Sequence, residues 1–387
     1  MNDYDIAVIG AGVVGAACAL SLQQQGFSVA LIDQRMLDLP PSPLPQARVS
    51  AINNTSYHLM KTLGAWNHLD VERLTPILAM KIYGADQSAI GFDAAEFGFS
   101  ELGFILENDF LIKALLNQFD ITQGGLFCPA TVKHVVRKDL WELELSTAAV
   151  LSAKLLVVAQ GAQSNLRELL RVPSEIHFYN QKALVMNVVS KNPHRFCAYQ
   201  RFLSTGPLAF LPLFNPYWSS IVWTLPTALA DEYLELPEDI LLQRLFGAFP
   251  DLGALTALTH VQGFELSALS AQSYCGPGFV LVGDTAHTVH PLAGQGVNLG
   301  LSDVICLNKV LKAGKDINSE VLLTQYARAC QVKNKAFSSG FSLLNRLFQL
   351  EHPWFQRIIG VGLTRINKLH GVKRQLLQLA RGDVWTP

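Results

Sequence analysis

Three glycines within the first fifteen residues constrain this chain more than any other feature. Ile6-Ala7-Val8-Ile9 is a short apolar run suited to a buried parallel strand, and Gly10, Gly12 and Gly15 follow it in GxGxxG register. The first glycine lets the chain turn tightly, the second lets backbone approach a pyrophosphate, and the third lets helix pack on strand. From Ala11 through Val13 and Val14 a helix opens, whose unpaired N–H groups and positive dipole end suit phosphate. Gly26 ends that helix and Val29 to Ile32 forms a second strand. Asp33 closes the strand 23 residues after Gly10, with Gln34 beside it. A carboxylate at that distance binds the ribose hydroxyl of an adenosine. A dinucleotide site is therefore expected, and the motif by itself leaves NAD and FAD open.

The rest of the chain narrows the class. Its 387 residues suit two to three domains, or one with a large insertion. Half are hydrophobic and 16% charged, which allows a sizeable core and argues against long disorder. A net charge of −1 lacks the basic footprint of a nucleic-acid binder. Six scattered cysteines with no CxxC read as reduced thiols of a cytosolic protein. The apolar run from Ile6 to Leu22 follows Asp3 and Asp5 and is broken by glycines, so it reads as neither signal peptide nor membrane span. A soluble, cytoplasmic protein is expected.

Along the chain, about 50–70 reads as helical, 77–99 as strands, and 106–119 as an amphipathic helix presenting Leu111, Leu115 and Phe119. From about 176 to 270 strand patterns dominate, and helical patterns return from about Ala293. The expected fold class is α/β, with a Rossmann-like nucleotide domain in three pieces (1–75, 100–175 and 271–340). A mainly β substrate domain (76–99 and 176–270) is inserted into it, and a helical segment (341–387) ends the chain. That segment carries seven Lys/Arg (Arg346, Arg357, Arg365, Lys368, Lys373, Arg374, Arg381) against Glu351 and Asp383, among apolar residues such as Phe341, Leu344, Phe348, Trp354, Ile358 and Ile366. It reads either as a basic amphipathic surface for a membrane or partner, or as ordinary packing helices. The proline-rich loop before "ARVSAIN" carries Arg48, a candidate for the pyrophosphate or an ordinary surface arginine.

A second cluster, "GDTAHTVHPLAGQG" at 283–296, follows a buried strand and precedes a helix. Asp284, His287 and His290 match no zinc template, and Pro291 breaks any helix that would align the histidines. No GxSxG elbow exists for a hydrolase. The remaining reading is a second dinucleotide contact. Asp284 accepts from sugar-alcohol hydroxyls, and the N–H groups of Gly294, Gln295, Gly296, Val297 and Asn298 face a ring that becomes anionic on reduction. FAD fits both halves, and the histidines read as structural hydrogen-bonders.

With these motifs in order along nearly its whole length, the chain resembles the ubiquinone-biosynthesis hydroxylase family (UbiH/UbiF-like), within the flavin aromatic hydroxylases of the para-hydroxybenzoate hydroxylase type. "AVIGAGVVGAACAL", "ARVSAIN", "LGFILENDFLIKAL", "YNQKALVMNV", "YQRFLSTGPLAFLPL", "IVWTLP" and "GDTAHTVHPLAGQGVNLGLSDV" carry the resemblance. It implies an FAD monooxygenase that hydroxylates a polyprenyl phenol or quinol through a flavin C4a-hydroperoxide, with O2 and NAD(P)H or another electron donor. It implies cofactor contacts at Gly10, Gly12, Gly15, Asp33, Arg48, Asn108, Val132 and Asp284, and a flavin-facing loop of Pro291, Gly294, Gln295, Gly296, Val297 and Asn298. Gln181 and Arg201 are candidate substrate-side residues. Expected partners are the quinol-type substrate, other quinone-biosynthesis proteins, a second copy of the chain, and the inner membrane touched peripherally by the basic C-terminus. One departure stands out: "VVAQGAQSNLR" places Gln160 where the family has aspartate. The amide keeps hydrogen-bonding capacity and loses a charge. The alternatives are an FAD oxidase or dehydrogenase, and a non-catalytic flavin-binding subunit.

Overall fold

The computed structural model describes residues 2–36, 42–84, 88–249, 252–288, 294–314, 316–348, 365–367 and 369–383. In chain order its helices are α1 (Val13–Gln23), α2 (Asn54–Thr62), α3 (Asn108–Leu116), α4 (Asn165–Leu169), α5 (Thr227–Leu234), α6 (Glu238–Ala248), α7 (Gly296–Ala313) and α8 (Glu320–Phe348), and a further helix spans His370–Arg381.

The strand Asn2–Ile9 runs through an eight-stranded sheet, parallel to Val29–Ile32 on one side and Val150–Val158 on the other. Gly125–Phe127 and Phe279–Leu281 extend this parallel core outward. Ile6, Ala7 and Val8 are each 0% exposed. Successive side chains point to opposite faces, so both faces are covered, and the run is continuous rather than alternating. Every residue of α1 except Val14 is buried. Its run of Gly and Ala lets it approach the sheet, α3 and α7 together, and α7 in turn packs on α8. Cutting a core side chain such as Leu31 to Ala would cost about 2–5 kcal/mol.

A nine-stranded sheet orders His287–Thr288, Gln262–Ala271, Ser174–Ser190, Trp218–Pro226, Gly206–Pro212, Cys197–Leu203, Ala79–Tyr83 and Ala89–Asp93, with Leu255–Ala257 paired to Ser174–Ser190. Its two faces differ. Leu184, Met186, Leu208, Phe210, Ile221 and Trp223 are buried among residues of α5 and α6. On the opposite face Val185, Ala209, Leu211 and Val222 are only half-buried, and Val185, Val222 and Ala209 form one cross-strand row.

A small antiparallel sheet joins Val49–Ile52, Gly103–Glu107 and Thr75–Ile77. The expectation of helix from about 50 is corrected there. Ser50 and Ile52 are buried in alternation and pair with Gly103–Glu107. Helix starts only after Asn53, whose side chain accepts from Ser56 N–H as an N-cap. Among the described residues no helix is long and apolar enough to cross a membrane.

Candidate functional site

The first half of the site is built from contiguous sequence. Gly10 has φ +106°, and a Cβ on it would lie 2.3 Å from the Ala159 carbonyl oxygen. A Cβ on Gly15 would lie 1.8 Å from the Gly10 oxygen, so α1 could not start so close to the strand with any other residue. At Gly12 a Cβ would meet nothing within 4 Å, which leaves the outer side of the turn open for a ligand. The N-cap Gly12 gives α1 no side-chain cap, which leaves first-turn N–H groups without that partner. Asp33 Oδ2 accepts from Ala11 N–H at 2.6 Å, and Oδ1 accepts from the Arg35 backbone N–H at 2.8 Å and its Nε at 3.2 Å. Gln34 beside it is exposed. Val132 begins the adjoining strand Val132–Arg137, half-buried against the same core.

The second half is gathered from several segments. Gly283–Thr285 forms a 3-10 turn after the core strand Phe279–Leu281. It packs on α1, where a Cβ on Gly283 would meet Val14 Cγ1 at 3.2 Å. Gly161 N–H donates to Thr285 Oγ1 at 2.9 Å, and the Arg167 guanidinium donates to the carbonyls of Thr285 and Ala162. Asp284 is hemmed in by protein, and burial pushes its carboxyl up, against the pull of His287 and Arg48. Its own surface is nevertheless exposed. A carboxylate enclosed on most sides but open on one lines a recess. The start of α7 faces it: a Cβ on Gly296 would sit 3.8 Å from Asp284 Oδ1, and among the described residues the N-cap Gln295 gives this helix no side-chain cap.

Asn298 fixes the beginning of α7 to the small sheet. Its Nδ2 donates to the Ala51 carbonyl at 2.7 Å and to Gln295 Oε1 at 3.3 Å, and its Oδ1 accepts from Asn53 N–H at 3.0 Å. Its side chain is therefore an anchor, taken up by protein groups rather than left for a ligand. Gly294 takes φ +61° beside Ala51, and Val297 packs against the core. Asn108 Oδ1 accepts from Ser50 Oγ at 2.6 Å, and its N–H reaches the Arg48 carbonyl at 3.2 Å. Pro291 and His290 lie outside the described residues.

Behind the turn sits a charged group that the motif reading missed. His287 Nε2 lies 2.6 Å from Asp303 Oδ2. Gly283 N–H donates to the same oxygen at 3.0 Å, and Asn334 Nδ2 reaches Oδ1 at 3.3 Å. Asp303 is 1% exposed. Burial favours its neutral form, but the charge and hydrogen bond of His287 outweigh it and hold the carboxyl below its ordinary value. Burial likewise disfavours charged His287, and Asp303, aided by Asp284, overcomes this and raises its pKa. The outcome is an ion pair. Asp303 thus pairs with His287 in the core, and the charges of His287 and Arg48 act on Asp284 at the recess. Asp303 lies one helical turn beyond Gly300, a spacing that carries no signature in a single sequence.

Gln160 has a defined task. Its Oε1 accepts from Ser164 Oγ at 2.9 Å and Leu166 N–H at 3.3 Å, and Ser164 caps α4. An amide oxygen meets these demands as a carboxylate would. Of the two substrate-side candidates, Gln181 shares by strand parity the half-buried face of Val185. Arg201 is not brought there. It points to the α6 side, donating to the Ala248 carbonyl at 2.9 Å and lying over the rings of Tyr83 and Phe249.

Residues 131–337 match the FAD binding domain family, and 5–38 match the FAD dependent oxidoreductases. The chain is 34% identical to 3-demethoxyubiquinol 3-hydroxylase of Escherichia coli (strain K12), over 98% of each chain. It is 30% identical to the mitochondrial ubiquinone biosynthesis monooxygenase COQ6 of Xenopus tropicalis, over 97% of this chain and 93% of that one. Its fold is similar to that of p-nitrophenol 4-monooxygenase PnpA from Pseudomonas putida DLL-E4, with TM-score 0.80, 17% identity and 97% of each chain covered.

Proposed function

We propose that this chain, which belongs to the ubiquinone-biosynthesis hydroxylase family of FAD-dependent monooxygenases, inserts one oxygen atom from O2 into the aromatic ring of a polyprenyl phenol or quinol. The residues present fit FAD at both ends. The open turn at Gly12, the uncapped start of α1 and Asp33 suit an adenosine diphosphate. Asp284 in its recess and the uncapped start of α7 suit a polyhydroxyl chain and a ring that gains negative charge. When bound, FAD supplies the redox centre at which electrons from NAD(P)H or another donor meet O2.

The chain's own residues bind, orient and exclude water. Asp33 and Asp284 accept from sugar and sugar-alcohol hydroxyls, and Arg48 neutralises phosphate. The helix starts present N–H groups without needing proton transfer. No side-chain nucleophile is required.

One observation carries the substrate assignment. The cofactor turn runs directly into His287–Thr288, which pairs with Gln262–Ala271 of the nine-stranded sheet. The half-buried apolar face of that sheet is thereby tied to the recess of Asp284. A row of Val185, Val222 and Ala209 suits a hydrophobic ring and its prenyl substituent, and covering it keeps water from the reacting atoms.

The substrate's apolarity also favours contact with a lipid surface. The helix His370–Arg381 buries Lys373, Leu377 and Arg381 on one side and leaves Val372, Leu376 and Leu379 exposed beside Arg374.

The test uses purified protein with FAD, an electron donor, isotopically labelled O2 and a short-chain prenylphenol. A product one labelled oxygen heavier is expected by mass spectrometry. Absence of that product with NADH, NADPH and a reconstituted redox partner would overturn the reading. Deletion of the gene is expected to accumulate a quinone precursor lacking one hydroxyl, which also identifies the ring position.

A further inference from the structure

The loop that precedes Arg48 is gripped by side chains from two sheets. Arg73, in the 3-10 turn Val71–Arg73, donates to Glu107 through Nε at 2.9 Å and Nη2 at 3.0 Å. The same guanidinium donates to the carbonyls of Ser42 and Leu44. It lies between the rings of Phe110 on α3 and Phe214 on the nine-stranded sheet's side, 4.6 and 4.7 Å from their centroids. Glu107 also accepts from Gln46 N–H at 2.7 Å. From the nine-stranded sheet, Asn187 Nδ2 donates to the carbonyls of Pro45 and Gln46 at 3.0 and 3.1 Å.

Pro43 and Pro45 have no N–H, so this loop cannot pair its backbone in the usual way. Its carbonyls need donors from elsewhere, and Arg73 and Asn187 provide them. Arg48 follows two residues after Gln46, exposed and close enough to Asp284 for its charge to be felt there.

We propose that Arg73, Glu107 and Asn187 are positioning residues for the cofactor, forming a latch that holds the 42–46 loop so that Arg48 faces the pyrophosphate. The latch rests on the reading of Arg48 as a cofactor contact. Because Asn187 belongs to the substrate sheet, the latch makes the grip on the cofactor depend on how that sheet sits. Arg73 is suited to the task because its planar fork serves the carboxylate and two carbonyls at once, which an ammonium does not match.

The test measures FAD dissociation constants by flavin fluorescence on the full chain, stripped of cofactor and retitrated. Arg48→Ala is expected to weaken binding about tenfold or more. Arg73→Met is expected to weaken it several-fold, and Arg48→Ala with Arg73→Met should be no weaker than Arg48→Ala alone. Additive losses, or an Arg73→Met chain that binds normally, overturn the latch while leaving the Arg48 reading intact. An Arg48→Ala chain that binds normally removes the Arg48 reading and the latch with it. Hydrogen exchange guards against misfolding. In Arg73→Lys and Asn187→Ala the Gln46 amide should exchange faster while the Ile6–Ile9 amides stay protected, and an unchanged Gln46 amide overturns the proposal.

Discussion

The two ends of the proposed cofactor site offer backbone to charge by different construction. The end at Gly10–Asp33 is one continuous strand, turn, helix and strand, and the hydrogen bonds of the Asp33 carboxylate stay within 25 residues. The end at Asp284 is assembled from loop 42–48, the small sheet, the Gln160–Arg167 turn, the 283–288 turn and α7. The contrast teaches where fragility lies. A local site fails when its backbone is obstructed. An assembled site fails when any one tether is cut, including tethers that never touch a ligand.

The largest effect that would sharpen this contrast is expected for Asp303→Ala. It strips His287 of the counter-charge that holds its proton in the core and releases Gly283, costing about 3–5 kcal/mol in chemical denaturation, with loss of FAD. A variant as stable as the parent would break the comparison. Gly10→Ala is expected to cost about 1–3 kcal/mol, because the new Cβ meets the Ala159 oxygen in a left-handed turn. Here FAD binding should fail with the turn, while Asp284→Asn should separate binding from folding. Burial raises the Asp284 carboxyl, so the apoprotein loses stability as pH rises through that raised value. Asp284→Asn should therefore raise the melting temperature of the apoprotein slightly and weaken FAD about tenfold. A lower melting temperature would show that Asp284 is a structural residue.

The smallest effect is the pH dependence of the ion pair. His287 is raised in the fold, so its contribution is complete below about pH 6.5 and is lost as pH rises through its folded value. Asp303 is lowered, so its contribution is present above about pH 3.9 and is lost as pH falls through its folded value. Thermal stability should fall on the alkaline side, and His287→Gln should flatten that limb. The groups around the pair are Asp284, Lys333, Asn334, Tyr274, Cys306, Cys330, Cys18 and Tyr326.

Legibility followed the same division. The turn at Gly10, Gly12 and Gly15 and its closure by Asp33 were readable because their spacing sets the local geometry. Asp284 was readable because a strand and a helix flank it. His287 was recognised as a hydrogen-bonder, but its partner Asp303 was not, since a lone aspartate on an amphipathic helix looks like a solvated one. The side of the sheet on which Arg201 lies was not legible, because strand parity could not be anchored to a face. Tyr199 and Leu203, its neighbours two residues away, pack with the α6 side and carry Arg201 with them.

By itself the sequence determined what short-range geometry can encode: the strand–turn–helix start, the acid after the second strand, the α/β class and the family. Tertiary structure decided which lone polar residues matter. Arg73, Glu107, Asn187 and Asp303 act across separations that no local pattern records, and only packing brings a fork of donors to proline-rich backbone or a histidine to a buried aspartate. The physical reason is that hydrogen bonds and desolvation depend on distance in space, and a single sequence states only distance along the chain.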